Sequence, residues 1–191
     1  MNNPNLMQQA LGAQWAQLPA ALQAHYTERA NSDIGELDIA YPRAMQICLN
    51  LLRRVGALIN RRGKGVATTV TKQMQGQVQY WQRTLCYTDG QTIVFNSRWE
   101  YAGGNRLIEY VNAMLGLCMA VFVVDGRLHY QGLYYVVQLG SVRLRLPEWL
   151  VLGHTSIVET ALDSERFSMD FRLHHPVFGE LYRYAGEFKT H

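Results

Sequence analysis

The sequence predicts a mainly β protein of α+β type: a long antiparallel meander curled into a barrel or half-barrel, with N-terminal helices, one of them long and amphipathic, packed on it. Three observations predict this. From Val66 onward apolar residues recur with a period of two, as side chains do on alternate faces of a strand. Turn signals such as Asp89-Gly90, Gly103-Gly104-Asn105, Asp125-Gly126 and Asp163-Ser164 punctuate that region, and connections so short force antiparallel neighbours. Helical spacing of apolar residues is found before that point.

In chain order, residues 1–14 are rich in Asn and Gln, show no apolar face and read as a flexible, frayed start. Leu18 to Tyr26 reads as a short helix with Pro19 in its first turn. Residues 27–38 read as a polar connection, because Ser32, Asp33 and Gly35 favour turns. Residues 41–60 form the long helix: Cys48, Leu51, Leu52, Val55, Leu58 and Ile59 share one stripe, and Arg43, Gln46, Asn50, Arg53 and Asn60 fall largely off it. Arg61-Arg62-Gly63-Lys64-Gly65 ends it, with basic residues at the negative helix end and glycines to turn the chain. One domain over 1–191 is expected, with a helical part at 15–64 and the sheet at 66–188. The strands are placed at 66–75, 78–88, 91–102, 105–112, 116–124, 127–139, 141–146, 155–162, 166–173 and 178–188. A sheet of about eight to ten strands tends to curl or close, and a closed one can hold a small ligand.

The chain of 191 residues is 48% hydrophobic and 17% charged, the composition of an ordinary globular core. Its longest apolar run, Ala113 to Val124, falls short of the roughly 20 residues a spanning helix needs, and the first residues lack the pattern of a signal peptide. A soluble cytoplasmic protein is expected. Cys48, Cys86 and Cys118 are far apart and read as free thiols; they do not cluster with His154, His174 or His175, so no metal and no cofactor are expected. Gly63-Lys64-Gly65 is not a phosphate loop, since Gly56 lies at the wrong distance and neither Ser nor Thr follows Lys64. The net charge is +3 but uneven: no acidic residue lies between Asp38 and Asp89, a stretch holding Arg43, Arg53, Arg54, Arg61, Arg62, Lys64, Lys72 and Arg83. Such a field can attract an anionic membrane surface or protein partner through Arg53, Arg54, Arg61 and Arg62; nucleic-acid binding rests on charge alone and is not expected.

Strand parity places three charges among apolar neighbours: Arg83 in Trp81-Gln82-Arg83-Thr84-Leu85, Glu109 in Leu107-Ile108-Glu109-Tyr110-Val111, and Glu159 in Ile157-Val158-Glu159-Thr160-Ala161. Lone buried charges are expensive, so the three point to one shared internal network beside a cavity. Such a network can fix strand register, anchor a ligand or carry a proton. Trp81, Ser97, Trp99 and Tyr184 complete the candidate ligand-binding set, aromatics being equally able to fill a sheet core. His174-His175-Pro176 reads as a turn, and His25 as a core or capping histidine.

The ordered set Leu18-Pro19…His25, Trp81-x-Arg83, Ser97, Glu109, Gly126-x-Leu128, Leu146-Pro147, Glu159, Phe167, His175-Pro176-x-x-Gly179 and Tyr184-x-Gly186 resembles the DUF4166 family of uncharacterised bacterial proteins over nearly the whole chain. In that family the domain occurs alone and behind reductase-like or membrane domains, which implies a partner-associated or ligand-handling module and supplies no catalytic residues. The chain departs from the family at Asn60 to Gly65, where a basic segment replaces a Pro-containing turn. The leading expectation is a non-enzymatic barrel binding a small hydrophobic or amphipathic ligand. The alternatives are an isomerase or hydrolase using Glu109 or Glu159 as acid or base, and a module docking through the basic 41–64 segment.

Overall fold

Period-two patterning puts one row of side chains on the dry face of each strand, and the sheet closes so that those rows face one another. The computed structural model describes residues 4–27 and 30–191. Among the described residues the strands are β1 (Ala30–Ala40), β2 (Gly63–Gln75), β3 (Val78–Cys86), β4 (Thr92–Tyr101), β5 (Arg106–Tyr110), β6 (Leu115–Val124), β7 (Arg127–Leu139), β8 (Val142–Pro147), β9 (His154–Ala161), β10 (Arg166–His175) and β11 (Gly179–Thr190). The helices are α1 (Leu6–Leu11), α2 (Ala20–Thr27), α3 (Gln46–Arg54) and the single turn α4 (Glu148–Val151). β1 pairs with both β2 and β11, and β6 with β7, giving a closed ten-stranded antiparallel barrel.

β8 lies outside the ring. The first half of β7, Leu128 to Gln131, pairs with β9, and its second half, Tyr134 to Leu139, pairs with β8. The strands part at Gly132, where any side chain would collide with the Glu148 carboxylate. That carboxylate accepts the Thr155 N–H at 3.0 Å and meets His154 Nδ1 at 2.6 Å, so α4 wedges the gap between β7 and β9.

The two barrel ends differ. At one, α1, a 3-10 turn over Gly12–Gln17 and α2 plug the opening with Leu6, Met7, Leu11, Leu18 and Leu22. The other end carries α3, the β5–β6 turn, the β7–β8 hairpin and α4. A small second cluster of Ile108, Tyr110, Cys118 and Val136 packs on the outer face, so the Tyr134–Val137 run is covered on both sides.

Three expectations are corrected. Of residues 1–14, those from Pro4 onward are described and ordered into α1, which a capping box starts: Gln8 N–H donates to Asn5 Oδ1 at 2.7 Å and Asn5 N–H to Gln8 Oε1 at 3.0 Å. Residues 30–40, read as a connection, are β1, so 15–64 is not wholly helical; residues 28 and 29 of that reading lie outside the described residues. The 41–60 helix is confined to Gln46–Arg54, preceded by a 3-10 turn at Arg43–Met45, because Gly56 takes φ +74° and reverses the chain. Its buried residue is Leu49, not Leu51 or Val55, which are exposed. The ten strands placed from residue 66 onward are all present, within a few residues at each end.

The packing gives a contrast between two leucines. Leu22→Ala, which empties a fully buried site in the plug, is expected to lower stability by about 2–5 kcal/mol. Leu51→Ala, on the exposed face of α3, should stay within about 0.5 kcal/mol of the parent. Urea unfolding of both variants measures the two values.

Candidate functional site

The ten-stranded lumen is not filled. Toward the α3 end an apolar cavity of about 150 Å³ is walled by residues including Leu58, Leu117, Tyr135, Leu152 and Phe171. Below it, under α2, lies a smaller space of about 40 Å³ bounded by His25, Tyr26, Trp81, Trp99, Tyr130 and Glu159. Leu37, Arg83, Glu109 and Tyr184 line both, so a girdle holding the Arg83–Glu109 pair separates the apolar upper chamber from a smaller lower one, whose mainly apolar wall also carries His25, Tyr26, Asp33, Tyr130 and Glu159.

The girdle is built across neighbouring strands. Arg83 on β3 donates to Ser97 Oγ on β4 at 3.0 Å and to Glu109 Oε1 on β5 at 3.1 Å. Its guanidinium lies 5.0 Å from the Trp81 ring centre, and Trp81 stacks on Trp99 at 5.2 Å. The Trp99 Nε1–H is buried and meets no acceptor among the described residues.

The lower chamber holds two further clusters. Lys72 on β2 is fully buried; its ammonium meets Asp33 Oδ2 on β1 at 2.8 Å, His25 Nδ1 at 2.8 Å and the His25 carbonyl. Thr190 on β11 donates to Asp33 Oδ1 at 2.8 Å. Burial, reinforced by Lys72, lowers the His25 pKa to about 4, which leaves a neutral ring to accept from the ammonium. Burial also lowers Lys72 to about 8, against the pull of Asp33. For Asp33 burial acts upward, but His25 and Lys72 outweigh it and hold the carboxyl well below the usual range.

The second cluster is Tyr26, Tyr130 and Glu159. Tyr26 Oη donates to both Glu159 oxygens, at 2.9 and 2.8 Å, and shares a short hydrogen bond with the Tyr130 hydroxyl. Burial raises the Glu159 pKa to about 7, even though the Tyr26 hydrogen bond and the Lys72 charge favour its anion. Glu159 therefore exchanges its proton near neutral pH on the wall of a cavity.

All seven candidates from the sequence reach this region: Trp81, Arg83, Trp99, Glu109, Glu159 and Tyr184 line the spaces, and Ser97 holds Arg83. The single shared network is corrected to adjacent clusters, because Glu159 takes its hydrogen bonds from Tyr26 while Arg83 bonds Ser97 and Glu109. Lys72 is corrected from a member of the basic surface field to a buried ion. His25, Tyr26, Asp33, Lys72 and Tyr130 were not in the sequence-derived set. The signal that could have found Asp33 is its parity with Leu37 and Ile39, which share its inward face. His174 and His175 end β10, and the turn follows at Pro176 to Phe178.

A family model described as a domain of unknown function, DUF4166, matches residues 18–188. The chain belongs to the DUF4166 family. No curated protein matches this DUF4166 chain. One solved structure, an inactive mutant of the CurJ dehydratase in complex with a compound, aligns with 95% of this chain and 83% of its own at 10% identity. Its TM-score of 0.21 is too low to carry an argument.

The Glu159 shift has a definite sign. Its folded pKa of about 7 exceeds the ordinary value of 4.5, so the folded state holds an extra proton between those two pH values. The stabilisation is full below about 4.5 and is lost as pH rises through about 7. Relative to Glu159→Gln, the parent DUF4166 domain should lose stability steadily across that window and level off above it. Urea unfolding of both proteins over that range tests this, and a pH-independent difference contradicts it.

Proposed function

We propose that this DUF4166 barrel binds a small amphipathic ligand of fatty-acid, isoprenoid or sterol type, with its polar head at the Arg83–Glu109 girdle and its apolar body in the upper chamber. One observation carries this reading: the apolar cavity ends on a buried guanidinium with donors to spare. Among the described residues, Arg83 engages Ser97 and Glu109 through two of its N–H groups, whereas a guanidinium has five. The unpartnered Trp99 N–H is a further donor on the lower wall. A head with a carboxylate, carbonyl or hydroxyl oxygen would accept from these groups, and a hydroxyl could also donate to Glu109. The enclosed volume of about 150 Å³ suits an apolar group near the size of a benzene ring, leaving a longer body to extend toward the mouth.

A second reading is favoured by Glu159, a cavity-wall carboxyl with a pKa of about 7 that two tyrosine hydroxyls connect to the interior. In it the protein is an isomerase or hydrolase, and Glu159 takes a proton from the ligand or gives one to it.

Native mass spectrometry of the purified protein, followed by extraction, should release a lipid-like molecule. Arg83→Gln should weaken binding of a fluorescent fatty acid about ten- to a hundredfold, the worth of a charge-assisted hydrogen bond. Leu58→Trp, which fills the upper chamber without touching a charge, should abolish it. A parent protein that yields no extractable molecule and binds no such probe refutes the binding reading. Incubating the extracted ligand with the protein in deuterated water tests the second reading, and no mass change in the ligand ends it.

A further inference from the structure

The mouth of the upper chamber is ringed by apolar side chains that the fold leaves uncovered. On α3 and its cap, Ile47 (76% exposed), Leu51 (58%) and Val55 recur at four-residue spacing along one face. Hydrogen bonds join this face to the rest of the rim. Asn112 Nδ2 donates to the Val55 carbonyl at 2.6 Å, which sets the β5–β6 turn with exposed Met114 against α3. Gln138 N–H donates to the Met114 carbonyl at 2.7 Å, which sets the β7–β8 hairpin against that turn.

The hairpin has two unlike faces. The cross-strand pairs Tyr135–Leu146, Val137–Leu144 and Leu139–Val142 share the face that continues the cavity wall. Exposure grows along it, from partly buried Tyr135 and Leu146 to Leu139 and Val142, which are more than half exposed. The opposite face presents Arg143 and Arg145. The apolar surface is therefore one continuous rim from α3 to the hairpin tip, larger than scattered surface residues would give.

The rim lies in a positive field. The stretches 39–88, 110–124 and 126–147, which build α3, the β5–β6 turn and the hairpin, contain no Asp or Glu. Arg43 and Arg54 stand exposed beside α3, and Arg143 and Arg145 on the hairpin. We propose that this end of the barrel docks on an anionic lipid surface, with Ile47, Leu51, Met114 and Leu139 entering the boundary between headgroups and acyl chains and the arginines resting on phosphates. A second copy of the chain fits less well, because a symmetric contact would bring the same unbalanced arginines face to face. Docking does not depend on the ligand reading, although it would place the cavity mouth against lipid.

The test is co-sedimentation of the full chain with phosphatidylcholine vesicles, with and without phosphatidylglycerol. The protein should pellet with the anionic vesicles alone and be released by added salt, as surface charge is screened. The pair Ile47→Asp/Leu51→Asp should cut the bound fraction about tenfold, and Arg43→Glu/Arg54→Glu should do likewise, with thermal melting unchanged since all four side chains are exposed. Arg83→Gln should still pellet even where it no longer binds the fatty-acid probe, so failures of the two readings are told apart. No pelleting with anionic vesicles, or pelleting that survives Ile47→Asp/Leu51→Asp, overturns the proposal. A dimer by light scattering that the same pair abolishes also overturns it, assigning the rim to a second copy.

Discussion

Closure of the ring is the constraint from which the rest follows. Once β1 joins β11 and β6 joins β7, every barrel strand has a neighbour on both edges, although β4 meets β5 only over Arg98–Tyr101 and β7 meets β9 only over Leu128–Gln131. The lumen is then ringed by strands. An eight-stranded barrel is just wide enough for its own side chains to fill, and ten strands enclose more space than that. This DUF4166 fold fills one end with α1 and α2, the middle with stacked aromatics such as Trp81 and Trp99, and leaves the other end hollow. Even the ladder is interrupted in keeping with this: at Gly132 β7 leaves β9, and the hairpin and α4 form the wall of the hollow end.

Inside the lumen a buried charge must find its partners within the protein, and the clusters differ in how fully they do so. Lys72 hydrogen-bonds to His25 Nδ1 and the His25 carbonyl and forms an ion pair with Asp33 Oδ2. Those contacts join α2 to β1 and β2, and Thr190 joins β11 to the same carboxylate. Removing one member would strand a buried charge, so this cluster works as a structural tie around the point where the barrel closes. Arg83, Trp99 and Glu159 are less completely served: a guanidinium with spare donors, an indole N–H without an acceptor, and a carboxyl that burial leaves half-protonated near neutral pH. His25 and Asp33 line the lower space as well, so the two groups differ in the donors they have to spare rather than in their place. That division separates holding the sheet from meeting a ligand.

The same physics explains what could be read in the sequence. The strands from residue 66 onward were legible because apolar alternation is strong and turn residues bound each run. Arg83, Glu109 and Glu159 were legible because a charge breaks an otherwise apolar face. β1 was not, since its inward positions include Asn31 and Asp33, whose partners come from elsewhere in the chain: Asn31 donates to the His25 carbonyl at 3.0 Å, and Asp33 accepts from Thr190 and pairs with the Lys72 ammonium. Locally such residues spell a turn, and only long-range pairing makes them a strand. Lys72 was hidden for the converse reason, as one basic residue among many in an acid-free stretch. The helix at 41–60 was read too long because Leu58 and Ile59, which continue the helical stripe in sequence, line the cavity from a non-helical segment beyond Gly56.

Polarity changes in one direction along the lumen, and that gives a bound amphiphile an orientation. The lowest chamber mixes apolar walls with buried ionic and hydroxyl groups, the girdle carries an ion pair, the upper chamber is apolar, and the rim is apolar with arginines outside. A molecule seated head-down on Arg83 exchanges headgroup water for fixed N–H donors while its body stays among Leu58, Leu117 and Phe171. The reverse pose would bury hydrocarbon against Glu159, Tyr26 and Tyr130 and leave Arg83 unmatched, losing on both counts. Head-down seating requires the head to pass the apolar rim first, a desolvation step that opposes exchange from water. The hairpin face offers the tail a surface to follow throughout that passage, because its apolar pairs run without a break from the exposed tip to the cavity wall.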